Sequence, residues 1–299
     1  MIDVEDTMLD FRIESFLEVC KYMNFTRAAE SLNITQPAIS THIKYLETYY
    51  NCKLFYRSKR NLCLTDEGKI LKSALLSMSN DQDKLKVVLA EKKTNSEKIS
   101  LGFTRSVGEY LILDKLIALI KEKPSCDFHI YYENTDEILS DIDSGRIDFA
   151  IIEGFIKSSD YLIKKYKIDR IVCISHKDHK FKKQVKKLTD LLDERIIIRE
   201  DGSGTLAILK NFLSMDNIDT KDFANIIEIN NMRSIVEMLK SDCGISFIFE
   251  SCVKKELEEG VLMVVDLEDF NLVHDISLVA RKNSIFTDLY LQIAEAFYF

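Results

Sequence analysis

The chain has 299 residues, of which 46% are hydrophobic and 30% are charged, a balance that excludes a disordered or collagen-like protein and fits two or three domains. No apolar run approaches the ~18 residues of a membrane span, and the acidic residues 1–6 do not form a basic, apolar leader, so we expect a cytoplasmic protein without a membrane partner. The net charge of −8 is uneven, since residues 1–95 carry 14 basic and 13 acidic side chains whereas residues 96–299 carry 27 and 36.

The first 50 residues predict three short helices. Apolar residues recur at a helical period over 8–23. Thr26 is expected to cap a second helix from Arg27 to Asn33, and Thr35 to cap a third that ends near Tyr49. The third helix buries Ile39, Ile43 and Leu46 and turns a polar face outward. This arrangement predicts a helix-turn-helix.

A local basic strip follows these helices. No acidic residue occurs between Thr48 and Thr65, whereas Lys53, Arg57, Lys59 and Arg60 do. Local charge matters more than net charge at a binding face. The strip is therefore a candidate binding face in an otherwise acidic protein.

A long helix is predicted from Thr65. Its apolar positions step by four and three, with one polar interruption, at Leu71, Leu75, Met78, Gln82, Leu85 and Leu89. Such a seam favours a partner helix, and the alternative is packing against its own domain. We predict self-association through residues 65–93, followed by a polar linker at 92–97.

After the linker, strand-like and helix-like segments alternate. Helical patterns occupy 109–122, 135–144, 205–215, 231–241 and 251–259. Strand-like runs occur at 99–103, 128–132, 149–152, 171–175, 196–198, 226–229, 245–249, 261–265 and 276–279. The alternation predicts βαβ units with one or two largely parallel sheets.

The first third of the chain resembles the LysR-type transcriptional regulators. The resemblance lies in Phe16–Val19, Asn24–Glu47 (which contains Thr35-Gln36-Pro37-Ala38-Ile39-Ser40), Leu54–Arg57 and Leu64–Gly68. It implies an α/β protein with a winged helix-turn-helix at 1–64, a dimerising linker helix at 65–95 and an effector domain of periplasmic-binding-protein type at 96–299. Subdomain I would hold about 97–167 and 267–299, and subdomain II about 168–266.

The resemblance also implies a DNA-binding surface. The expected contacts with the major groove and the phosphates are Thr26, Arg27, Gln36, Pro37, Ser40, Thr41, Lys44, Arg57 and Arg60. Members of the family often have Arg where Thr41 stands, so we expect A·T-rich half-sites or readout of DNA shape. Asn51 replaces the usual Gly of the turn after the third helix and tolerates a positive φ.

An effector cleft is implied between the two subdomains. Its predicted ligands are the hydroxyl residues Thr104, Ser106, Thr135, Ser203 and Thr205. Two of only nine glycines flank Ser203 at a helix start, which suits a carboxylate or a small oxyanion. The alternative is a cap and a turn without a ligand. Glu153 follows a strand, and it either faces the cleft, where it would suit an amino acid's ammonium group, or points to solvent.

The expected function is ligand-responsive transcription regulation. The partners would be promoter DNA, a small effector, further copies in a homodimer or homotetramer, and RNA polymerase. The alternative is a redox sensor using Cys243 and Cys252, although seven cysteines without a CxxC pair do not indicate a disulfide framework. GxSxG, GxGxxG, P-loop and HExxH motifs do not occur, so we predict no enzyme, no cofactor and no metal.

Overall fold

The computed structural model describes residues 10–59, 61–94, 97–156 and 160–298. The protein has two compact units, the first built on the chain up to Ala90 and the second on the bulk of the chain from Glu91. The first unit contains α1 (Phe11–Tyr22), α2 (Phe25–Ser31), α3 (Gln36–Tyr49), β1 (Phe55–Ser58), β2 (Asn61–Leu64) and most of α4 (Asp66–Thr94). This order is that of a winged helix-turn-helix.

The caps of the short helices follow the expected chemistry with one correction. Thr35 caps α3, as predicted, by accepting from the amide of Ala38. Asn24, not Thr26, caps α2, because its extended backbone lets its side-chain oxygen accept from the amides of Thr26 and Arg27. Asn51 has a φ of +51°, so the turn after α3 survives without glycine.

The core of the first unit also takes part of the predicted seam. Leu75 is 2% exposed and belongs to the same apolar cluster as Phe16, Ile39 and Leu54, and half-buried Leu71 packs against that cluster. Leu75 therefore holds α4 to its own domain, which corrects its assignment to a self-pairing seam. Further along α4, Leu85 is 37% exposed and Leu89 is 55% exposed.

Helix α4 extends into the segment that was predicted as a polar linker. It runs to Thr94, so the predicted polar linker at 92–97 is wrong for residues 92–94. Lysine and glutamate are good helix formers, and a polar sequence by itself does not end a helix. Residues 95 and 96 lie outside the described residues.

The second unit is organised around one mixed sheet. Its strands pair in the order β10-β6-β11-β5-β3-β4, and β9 also pairs with β6. Their bounds are β3 (Glu97–Thr104), β4 (Cys126–Glu133), β5 (Phe149–Ile152), β6 (Tyr161–His176), β9 (Ser246–Phe249), β10 (Leu262–Val264) and β11 (Leu272–Arg281). A separate parallel pair consists of β7 (Arg195–Ile198) and β8 (Asn225–Glu228).

The expectation of a largely parallel sheet is wrong. Within this sheet only β3 pairs in parallel, with β4 and with β5, whereas β6 pairs antiparallel with β9, β10 and β11. The exposed first half of β6 alternates weakly, so only its buried end at 171–175 had the apolar signature of a strand. Strand direction depends on long-range pairing that local patterns do not encode.

Two apolar clusters of the second unit pack on the long strands β6 and β11. One contains Ile171–Ile174 from β6, and the other contains Ile276 and Leu278 from β11. The helices around them are α5 (Arg105–Val107), α6 (Leu113–Glu122), α7 (Thr135–Asp143), α8 (Gly204–Met215), α9 (Met232–Lys240), α10 (Lys254–Glu258) and α11 (Thr287–Ala294). The sequence patterns missed α11. Among the described residues, no helix combines the length and apolarity needed to span a membrane.

Candidate DNA-binding surface and effector site

The polar face of α3 and the β1–β2 hairpin enclose a groove of about 670 Å³ in the first unit. The start of α2 forms its third side through Asn24 and Thr26. Of the predicted DNA contacts, these residues line the groove: Thr26, Gln36, Ser40, Lys44 and Arg57. Three further predicted contacts are exposed on α2 and α3, close in sequence to the groove residues: Arg27, Pro37 and Thr41. Arg60 lies outside the described residues.

The predicted reading residues on α3 are partly paired with one another. Gln36 donates from Nε2 to Ser40 Oγ over 2.8 Å, one helical turn further on. Thr41 donates to the main-chain oxygen of Pro37 over 2.9 Å. Ser40 therefore fixes the direction of the Gln36 carboxamide, and the Thr41 hydroxyl is occupied within its own helix.

Among the groove residues that were not predicted to contact DNA are Glu47 and Tyr56. Glu47 accepts from Lys53 Nζ and from the amide of Leu54, so its charge is compensated within the first unit. Tyr56, beside Arg57 on β1, is 51% exposed. Three of the four residues of β1 are exposed, so no local burial pattern in the sequence distinguishes Tyr56.

His42 belongs to the packing of the first unit more than to its surface. Its Nδ1 lies 2.8 Å from Ser15 Oγ, and its ring meets Phe11 edge to face at 4.9 Å. Burial lowers the pKa of His42, and the charge of Arg12 acts in the same direction. The histidine is therefore a neutral packing residue near pH 7.

The predicted effector residues come together at the ends of strands in the second unit. Thr104 ends β3, and Ser106 lies in α5, which follows directly. Thr135 begins α7, while Ser203 and Thr205 stand at the start of α8. All five are at most 3% exposed. Parallel-sheet ligand sites are commonly built at such strand ends.

Glu153 stands at the centre of this group and is 1% exposed. Its carboxylate accepts from the hydroxyl of Thr104 and, over 3.3 Å, from that of Thr205. Thr135 donates over 2.8 Å to its main-chain oxygen. Burial raises the pKa of Glu153, while Thr104, Arg199 and Ser106 lower it. Three of the predicted ligands are therefore occupied by Glu153 or its backbone.

Arg199 continues the network away from Glu153. Its guanidinium donates to both carboxylate oxygens of Glu200 at 2.8 and 3.0 Å and to Ser106 Oγ at 3.2 Å. Arg105 reaches the same Glu200 at 2.9 Å. These contacts join the loop after β3 to the end of β7. Arg199 follows the buried strand at 196–198 directly, in the segment 199–205 that was predicted to form one wall of the cleft.

Gly204 allows the start of α8 to approach β5. A Cβ there would lie 2.4 Å from the oxygen of Glu153 and 2.6 Å from Thr135 Oγ1. Any other residue would push these elements apart. Gly202 has a φ of +87°, which glycine adopts without strain.

Ser203 differs from its neighbours. It is 2% exposed and occupies the N-cap position of α8, yet its side chain makes no cap hydrogen bond. Its hydroxyl has no hydrogen-bond partner among the described residues. Ser203 lines a cavity of about 380 Å³ together with Thr135, Asp136, Leu139, Phe155, Tyr161, Gly202, Gly204 and Ala207. Apart from Thr135, Ser203 and the two glycines, these residues were not predicted.

The two cysteines of the redox alternative have different environments. Cys252 is 1% exposed, and burial raises its pKa well above that of an ordinary thiol. Cys243 is half-buried, and both thiols are free. A buried, protonated thiol is a poor nucleophile, so the structure disfavours peroxide chemistry at Cys252.

Two family models match the chain. Residues 12–69 match the bacterial regulatory helix-turn-helix of the lysR family, and residues 92–289 match the LysR substrate binding domain. The chain belongs to the LysR family. It is thus a ligand-responsive transcriptional regulator with a DNA-binding helix-turn-helix and an effector-binding domain.

Similar LysR proteins span most of the chain. A probable RuBisCO transcriptional regulator of Emiliania huxleyi is 29% identical over 89% of this chain and 86% of its own length. The regulator CysL of Bacillus subtilis is 27% identical over 89% of each protein. The structure of LysG from Corynebacterium glutamicum, with bound effector arginine, covers 97% of each chain at 13% identity and a TM-score of 0.63, which supports the fold.

Proposed function

We propose that this LysR regulator reads operator DNA with α3 and the β1–β2 hairpin. The groove supports this assignment, because it presents Gln36, Ser40 and Lys44 from one helix beside Arg57 on the wing. Amide and hydroxyl groups can hydrogen-bond base edges, whereas Lys44 and Arg57 suit phosphates.

The effector enters the 380 Å³ cavity at the starts of α7 and α8 and presents a carboxylate to Ser203. The single observation that carries this assignment is the buried, unpartnered hydroxyl of Ser203. A buried hydroxyl without a partner costs about 1–3 kcal/mol, a cost that a ligand would remove. The first-turn amides of α8, which Ser203 does not cap, add a positive helix end.

The effector would act by shifting a population. Its contacts with Ser203 from subdomain II and with the α7 residues of subdomain I that line the cavity depend on the arrangement of the two subdomains. A ligand that binds one arrangement better favours that arrangement. Subunits paired through the exposed part of α4 would transmit the change to DNA.

Closing the cavity tests the effector assignment. Ala207 is exposed on α8 and lines the cavity, so Ala207→Phe should fill it without disturbing the core. Ser214→Phe, on the same face of α8 two turns away, is the matched control. Operator complexes would be measured by gel shift with and without a small-molecule extract that alters wild-type binding. We expect Ala207→Phe to abolish the response and Ser214→Phe to retain it; a full response from Ala207→Phe would refute the cavity.

A further inference from the structure

The two helix ends at the cavity are chemically different. The side chain of Asn134 accepts from the amide of Glu137 over 2.9 Å, so the start of α7 is already capped. The start of α8 has no side-chain cap, and its Ser203 hydroxyl is unpartnered among the described residues. An acceptor is therefore missing only at the α8 end.

The α7 end carries a negative charge instead. Asp136, in the first turn of α7, is exposed and is the one charged side chain among the described residues lining the cavity. A ligand with two negative charges would meet repulsion there. A cationic group on the ligand would gain an ion pair with Asp136.

The two ends are neighbours. The amide of Asp136 lies 3.4 Å from the oxygen of Gly202, and Thr135 Oγ1 closely approaches Gly204. A ligand that uses both ends must therefore hold its positive and negative groups close together. An α-amino acid does so, because its ammonium and carboxylate share one carbon.

The rest of the cavity wall is apolar. Leu139, Phe155 and Ala207 line it, and Phe155 is 40% exposed. A ligand's hydrocarbon side chain would cover this surface, which favours burial. Cavities of roughly 300–1,000 Å³ are typical for small ligands.

We propose that the effector is an α-amino acid with an apolar side chain, an inference that rests on the proposed effector site. Its carboxylate binds Ser203 and the α8 amides, its ammonium group binds Asp136, and its side chain packs against Leu139 and Phe155. Glu153, whose main-chain oxygen accepts from Thr135 of the cavity wall, has a buried carboxyl and so supplies no positive charge for a second anionic group.

Matched probes test this assignment by calorimetry on the full chain. The amino acids are L-valine, L-leucine, L-methionine and L-phenylalanine; 4-methylpentanoate is leucine without its ammonium group, and 3-methylbutylamine is leucine without its carboxylate. We expect at least one amino acid to bind, and for leucine at least a tenfold advantage over either truncated probe. Asp136→Asn should remove the advantage over 4-methylpentanoate, whereas the control Asp114→Asn, an exposed first-turn aspartate of α6, should retain it.

The outcomes separate this inference from the effector site itself. Equal binding of 4-methylpentanoate and leucine, or leucine binding that Asp136→Asn leaves unchanged, overturns the amino acid assignment. If Ala207→Phe still abolishes 4-methylpentanoate binding, the cavity and the proposed function stand. Amino acid binding that survives Ala207→Phe overturns both. Failure of all four amino acids at about 10 mM, weaker than ordinary effector affinities, overturns the amino acid assignment alone.

Discussion

The hydroxyl of Thr205, in the first turn of α8, donates to the carboxylate of Glu153 at the end of β5 over 3.3 Å. This contact joins the start of α8 to the end of β5 across the proposed effector cleft. It also separates the roles of two residues that the sequence had grouped together. Thr205 is hydrogen-bonded to Glu153, whereas the hydroxyl of Ser203, two residues earlier, has no partner among the described residues.

That separation predicts opposite phenotypes for the two residues. Ser203→Ala removes no cap bond, so the melting temperature should hold or rise while effector affinity falls about tenfold or more, the ~1.5–3 kcal/mol of a charged hydrogen bond. Thr205→Val removes a bond to buried Glu153, so it should lower the melting temperature. Calorimetry with the effector and melting without it measure both, with Ser214→Ala on the same helix as the control. A reversed pattern would return Ser203 to a capping role.

Glu153 should make stability depend on pH. Because burial raises its folded pKa above the ordinary 4.5, the folded state binds its proton more tightly than the unfolded state. The resulting stabilisation is present in full below pH 4.5 and is lost as pH rises through the folded pKa. Of the charged and titratable groups nearby, Arg199 opposes the rise in the pKa of Glu153. Cys252 stays protonated throughout the pH range in which Glu153 ionises.

Glu153→Gln tests this effect, since glutamine keeps the shape without ionising. Melting temperatures of the wild type and of Glu153→Gln would be compared between about pH 5 and pH 8. We expect the melting temperature of Glu153→Gln to rise relative to that of the wild type as pH rises. Glu295→Gln, an acid on the same unit, should give a constant difference. A constant difference for Glu153→Gln as well would show that its carboxylate is compensated in the folded state.

Two leucines of the α4 seam, Leu75 and Leu85, should respond differently to truncation. Leu75→Ala opens the core of the first unit and should cost about 2–5 kcal/mol of its free energy of unfolding. Leu85 is 37% exposed, so Leu85→Ala should leave that unit folded and weaken self-association. Urea unfolding and light scattering over a dilution series distinguish the two effects. An unchanged association constant for Leu85→Ala would contradict pairing through this part of α4.

Ser40 should act on DNA through Gln36. Gln36→Ala is expected to weaken operator binding more than binding to random DNA, by ~1–3 kcal/mol if the carboxamide reads a base. Since Ser40 holds that carboxamide at 2.8 Å, the double variant with Ser40→Ala should lose little more than Gln36→Ala alone. Fluorescence anisotropy would measure the affinities of the single and double variants for operator and random DNA, which gives a double-mutant cycle. Additive losses would give Ser40 a DNA contact of its own.

Arg57 should contribute to DNA binding through its positive charge alone. It is exposed on β1 and lines the groove, so Arg57→Ala should weaken operator and random DNA alike and flatten the salt dependence by about 0.9 in slope. Lys240→Ala, in the second unit, is the matched loss of one positive charge. A loss confined to the operator sequence would instead place Arg57 on a base.

Local sequence determined the family of this protein and many of its elements. Short-range rules cover the Thr35 cap, the buried stripe of α3 and the strand at 149–152, because capping and apolar periodicity act within a few residues. The same rules fail for Leu75, whose helical period is the same whether its partner is its own domain or a second copy. They also fail for the antiparallel partners of β6, which are far away in the chain.

The candidate effector site was likewise determined partly by local sequence and partly by the tertiary structure. The sequence indicated hydroxyls and glycines at the strand ends, because two of only nine glycines flank Ser203 at a helix start. Only the tertiary structure decided which hydroxyls stay unpartnered. Glu153, 50 residues before Ser203, occupies Thr104 and Thr205 but not Ser203, and Asp136 joins the cavity because α7 meets α8 in space. Hydrogen bonds between residues distant in sequence are set by packing, and no local pattern records them.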